Sequence, residues 1–159
     1  MAYALSRLGP ERLKNSAYRM QSLFPKPEIG VAYPPYPVLG SDFPVEPPSP
    51  IDGMYAAVTR CSPRLDTCDR DKVWEEEKLT RLQAVQGFGR NVGWGGMLKG
   101  WEQVGQMGGW ADWVVLDANL FDESVDLRTV KVQETWVGGK RVFKREADSI
   151  VSETVKAQD

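Results

Sequence analysis

Histidine is missing altogether from the 159 residues, so the commonest metal ligand is not available to any site this chain builds from its own side chains. Cysteine is scarce. Cys61 and Cys68 stand alone, and without histidine or further thiols they cannot complete the four-ligand shell of a structural zinc. With no secretory signal, they read as two reduced thiols in a loop, a disulfide between them being the alternative. Cationic excess is lacking as well: 20 Lys and Arg against 22 Asp and Glu leave a net charge of -2 and a pI near 5.3. That balance offers no field to draw a phosphate backbone and excludes nucleic acid as a partner. Nowhere does an apolar run approach the ~20 residues of a membrane span, and the N-terminus has no apolar signal core. The reading is a cytoplasmic protein with no membrane partner. What is present is ordinary, 42% hydrophobic and 26% charged, which suits one globular domain with a moderate core.

Punctuation along the chain divides it. Gly9 before Pro10, with Glu11 in the first turn, starts a helix, and Leu13, Ala17, Met20 and Phe24 recur at helical spacing, predicting a helix over 10–24. Residues 25–37 are a proline-rich insert, read as a loop because proline removes donors and favours polyproline conformation. Residues 38–42, Val-Leu-Gly-Ser-Asp, read as a short apolar strand that stops at Asp42, where Pro44, Pro47 and Pro48 forbid any further ladder. Ser49 followed by Pro50 and Asp52 is a capped helix start over 50–60, with Ile51, Met54, Tyr55 and Val58 as its apolar face. Mixed charge over 61–78 reads as solvated surface. Thr80 with Gln83 forms a capping box for a helix over 80–97, its apolar side Leu82, Val85, Gly89 and Val92. Gly87 and Gly89 inside it each cost about 1 kcal/mol relative to alanine in an exposed helix. Period two then takes over: strands over 113–116 and 130–137, and a Gly138-Gly139 hairpin returning through 140–143. The glycines at 93–96 and 105–109 match no phosphate-binding loop, and residues 146–159 are a polar tail.

Gly40 to Pro48, continued by Ser49 to Arg60, resembles the last barrel strand and following helix of the metal-dependent amidohydrolase superfamily, amidohydrolase family 3 branch. Leu8 to Arg12, Thr80 to Leu98, Ala111 to Asp117 and Thr135 to Lys140 continue the likeness in the family's order. The resemblance implies an α/β chain, the C-terminal part of a TIM-like (β/α)8 barrel over 1–104 plus part of a small flanking β-sandwich over 105–145. It also accounts for the arginine-rich, acid-poor residues 1–24 as a barrel helix and not a transit peptide. A complete barrel needs about 250 residues, so a fragment is implied.

The resemblance further implies hydrolysis of carbon–nitrogen bonds other than peptide bonds, in a small amide-like substrate, by water activated on a divalent metal, zinc foremost. The family's histidine ligands have no counterpart here. Only the aspartate of the last strand does, as Asp42, to which the resemblance assigns both metal ligation and the general base that passes a proton to the leaving nitrogen. Without histidine, Asp42 also reads as a loop carboxylate capping nearby amides. Glu46 matches the motif with its role open. The chain alone is thus expected to bind no metal, and the alternative function is a catalytically inactive remnant acting as an interaction module. Uncovered apolar faces predict self-association.

Overall fold

The computed structural model describes residues 2–24, 37–64, 75–98, 100 and 106–146. The order is helices, then a small antiparallel sheet: α1 (Ala2–Ser16), α2 (Pro50–Thr59), α3 (Arg81–Phe88), α4 (Arg90–Gly95), β1 (Trp113–Leu116), β2 (Val132–Val137) and β3 (Lys140–Lys144). Short 3-10 turns lie at Gln21–Leu23, Glu75–Glu77 and Leu127–Thr129. The chain is therefore α/β, with its helices and its strands segregated along the sequence.

Gly9, at φ 75, divides α1. The left-handed turn is open to glycine at no steric cost, and Pro10 then begins the second half with a preset φ and no amide to leave unpaired. That half buries Leu13 completely and ends at Ser16, well short of the expected residue 24. The cause is remote. Arg60, only 4% exposed, sends its guanidinium to the Tyr18 carbonyl at 3.0 Å and to the Met20 sulfur. A buried cation must be solvated by protein acceptors, and a continuing helix would have tied the Tyr18 carbonyl up in its own ladder. Tyr18 instead takes φ 54.

Ser49 caps α2, its hydroxyl accepting from the Asp52 amide at 3.2 Å, and the helix closes at Arg60 in the left-handed region. Thr80 and Gln83 form the reciprocal box at the start of α3. The expected single helix over 80–97 is two helices, because Gly89 leaves helical geometry at φ −116, ψ −99. Its buried side also differs from expectation. Leu82 is 54% exposed, whereas Ala84 and Gly87 face inward. Small residues win that position because neighbours approach closely: a Cβ on Gly87 would come within 2.6 Å of the Leu39 side chain, and one on Gly53 of α2 would strike the Phe88 ring.

The core lies between α2, α3 and the 127–129 turn, and is formed by Phe24, Met54, Ala57, Leu79, Ala84 and Leu127. Tyr55, Val58, Val85 and Phe88 pack around it. Residues 38–42 form no strand, contrary to expectation. A parallel barrel strand needs a neighbour on each side, and none is present among the described residues. The segment instead lies extended along the helices, the Leu39 amide donating to the Gly87 carbonyl at 3.0 Å and the Asn91 side-chain amide to the Pro37 carbonyl at 3.1 Å.

β1, β2 and β3 make one antiparallel meander in that order. Gly138 and Gly139, at φ 56 and 74, take the paired positive-φ turn that matches strand twist. Trp113 stands opposite Trp136, their rings stacked at 5.3 Å.

Candidate functional site

Asp42 sits where the extended 37–41 segment leaves the helices. Val38 and Leu39 fill the hollows over Gly95 and Gly87, which fixes the approach. The chain then reverses. The Val45 amide donates to the Asp42 carbonyl at 2.9 Å and the Glu46 amide to the Ser41 carbonyl at 3.2 Å, around a cis Phe43–Pro44 bond. Asp42 holds φ 51, a conformation open to aspartate at modest cost among non-glycine residues. The turn is open to solvent: Asp42 and Glu46 are exposed, as are Phe43 and Val45. Here the structure puts the one expected catalytic carboxylate on a rigidly anchored turn, with Glu46 four residues on along the same turn.

Among the described residues no three Asp, Glu or Cys side chains come together in an arrangement that could hold a metal ion. With no imidazole and a solvent-facing Asp42, the residues present do not fit a divalent metal by themselves. The cysteines differ from expectation. Cys61 is disulfide-bonded and buried, and the sequence holds a single other cysteine, Cys68, which lies outside the described residues, as do residues 25–36 of the proline-rich insert. The Cys61 disulfide, at the end of α2, replaces the reduced-thiol reading.

Other carboxylates are engaged in holding the fold together. Burial pushes the Glu77 carboxyl up, yet hydrogen bonds from the Ser22 hydroxyl and amide, with the Arg19 guanidinium 3.6 Å away, carry it below the usual glutamate range. The Trp136 indole N–H donates to Glu134 at 2.8 Å, and Arg141 lies 3.1 Å from the same carboxylate, which holds Glu134 low. Arg128 grips Asp126 and lowers it in the same way.

One feature escaped the sequence. Arg81 reaches from α3 to the carbonyls of Leu120, Glu123 and Val125 and closes one wall of a cavity of about 270 Å³, lined also by Tyr55, Thr59, Ser124 and Asp126. Asp42 does not line it. A capping arginine 39 to 44 residues from its acceptors leaves no local pattern to read. Chemically the cavity offers hydroxyls beside a guanidinium that three carbonyls already engage, and the Ser124 hydroxyl donates to the Asp122 carboxylate at 2.7 Å.

A family profile described as amidohydrolase family matches residues 1–143. No curated protein and no solved structure matches the chain. Among the described residues no helix is long and apolar enough to cross a membrane.

Proposed function

Because the chain belongs to the amidohydrolase family, we propose that it is the C-terminal portion of an enzyme that hydrolyses carbon–nitrogen bonds other than peptide bonds, with the 41–46 turn at its working end. The observation that carries this reading is Asp42, set at a left-handed φ on a turn whose approach is fixed by Val38 and Leu39. In that role the Asp42 carboxylate accepts a proton from the attacking water as the new C–O bond forms. It returns that proton to the nitrogen as the C–N bond breaks, so that the departing group leaves as a neutral amine. Glu46 lies on the same turn and would orient the substrate or the water. The helices α2 and α3 would then belong to the outer layer of a (β/α)8 barrel, and β1–β3 to a flanking sandwich.

Enzymes of this family generally use a divalent metal. The donor set for it is not among the described residues, so we assign it no step and place its ligands in polypeptide beyond this chain. A small amide-like substrate is expected. The second reading, a silent remnant serving as an interaction module, is favoured by the lack of any histidine.

The two are separated by assaying the chain against amides, ureas and cyclic imides, first alone with zinc and then co-purified with a histidine-bearing polypeptide encoded beside it. Hydrolysis only in the second case, reduced at least 100-fold by Asp42→Ala, fits the loss of a general base. Hydrolysis unaffected by Asp42→Ala overturns the role of Asp42. Absence of both hydrolysis and a co-purifying polypeptide favours the remnant.

A further inference from the structure

The two halves of the sheet carry opposite charge. From Gln106 to Leu127 the chain has five carboxylates and no cation; from Arg128 to Arg145 it has six cations and one carboxylate. The division falls on the strand edges. Asp112 and Asp117 bracket β1, and each is held by a backbone amide, Gly138 at 2.7 Å and Lys131 at 2.8 Å respectively, so their charges are fixed at the strand's two ends. β3 carries Lys140, Arg141 and Lys144, and Arg145 follows it. Among the described residues both edges lack a pairing strand. Their middles are apolar and exposed: Val114 54% and Val115 41% on one, Val142 62% and Phe143 44% on the other.

We propose that copies of this chain join edge to edge, the β1 edge of one against the β3 edge of the next. Like edges reject one another. Two β3 strands would set cations against cations. An antiparallel β1 pair with Trp113 opposite Leu116 would set Asp112 against Asp117. Unlike edges attract, and an opposite-charge cross-strand pair contributes roughly 0.2–1 kcal/mol where a like-charge pair destabilises. β1 and β3 both run antiparallel to β2, so a copy added with the same face up brings its β1 alongside β3 in parallel. Asp112 then falls beside Lys140, and Asp117 near Lys144 and Arg145. Trp113 falls beside Arg141, whose guanidinium already covers the Trp136 ring at 5.7 Å. The in-chain ladder of Trp113, Trp136 and Arg141 is thereby continued into the next copy. The contact is head-to-tail, so assemblies grow with concentration and do not stop at a dimer.

Light scattering on the purified chain over a range of concentrations tests this, at about 20 mM and about 500 mM salt, where screening lengths differ several-fold. The expected result is a mass that rises with concentration at low salt and falls back to the monomer at high salt. Lys140→Glu together with Lys144→Glu sets carboxylates opposite Asp112 and Asp117, takes the cationic β3 edge to a net charge of zero and leaves the acidic β1 edge intact. That variant, with tryptophan emission unchanged, is expected to be monomeric alone. Added at one part in ten to wild type, it is expected to cap growing ends and shorten the assemblies. A wild-type mass independent of concentration at low salt, assembly of the variant equal to wild type, or a lack of capping would each overturn the proposal.

Discussion

The helical part and the sheet are held together by different means. Around α2 and α3, apolar side chains are out of water: Ala84 is 1% exposed, Ala57, Leu79 and Leu127 3% each. In the sheet every residue of β3 is exposed and three of four in β1. Its order comes from the ladder and from Trp113, Trp136, Glu134 and Arg141 packed across strands on one face. Burial is non-directional and roughly proportional to area, whereas cross-strand pairs contribute a few tenths of a kcal/mol to about 1 kcal/mol each. The lesson is that the helices are finished on their inner side, while the sheet still has surfaces to satisfy.

That contrast can be broken most forcefully from the core. Leu127→Ala, in the turn that seals α2 against α3, is expected to cost about 2–5 kcal/mol, against less than about 0.5 kcal/mol for Val142→Ala on the exposed strand. Urea unfolding of both variants measures the gap; equal costs would mean that the sheet is buried in solution. Reduction of the Cys61 disulfide comes next. If the bond runs to Cys68, the short loop it closes predicts a loss of about 2–3 kcal/mol, read as a lower melting temperature with reductant, and no free thiol titrates in the oxidised, unfolded chain.

Smaller effects sharpen the comparison. Gly87→Ala would gain about 1 kcal/mol in an exposed helix, but here the new methyl meets Leu39, and overpacking predicts a net loss of about 1–3 kcal/mol. A gain would show that the 37–41 segment is not seated on α3. Glu77, held below the usual glutamate range by Ser22 and Arg19, contributes stability that is complete above the unfolded glutamate pKa and is lost as pH falls through the lower folded value. Glu77→Gln is expected to flatten that acid limb of a melting-temperature profile. The smallest effect is a Trp113→Ala, Trp136→Ala cycle, for which stacked rings predict a coupling of about 0.5–1.5 kcal/mol.

Local signals were legible in the sequence. Ser49-Pro50 and Thr80 with Gln83 each announce a cap that the structure contains, because a cap involves residues three apart. Gly138-Gly139 announces its hairpin for the same reason. Apart from the break at Gly89, which divides the expected helix over 80–97, the failures are non-local. The end of α1 is set by Arg60, some forty residues away. The inner side of α3 is chosen by Leu39, which needs a residue as small as Gly87 opposite it, just as the Phe88 ring of α3 needs Gly53 on α2. The segment 38–42 has strand composition but no strand partner among the described residues. For the candidate site, the sequence singled out Asp42 and Glu46 through motif likeness, and the structure adds the anchoring of their turn. Arg81 and its three carbonyls lay beyond reach, since nothing in a local window marks a capping arginine.

The 37–41 segment also straddles the break between α3 and α4. Leu39 is tied to Gly87 on one side of Gly89, and Pro37 to Asn91 on the other. A strap fastened on both sides of a joint ties the joint to whatever pulls the strap. A displacement of Asp42 that reaches Leu39 therefore makes α4 swing about Gly89 or opens one of these two bonds. The exchange rates of the 90–95 amides then become a gauge of what occupies a turn nearly fifty residues earlier in the chain.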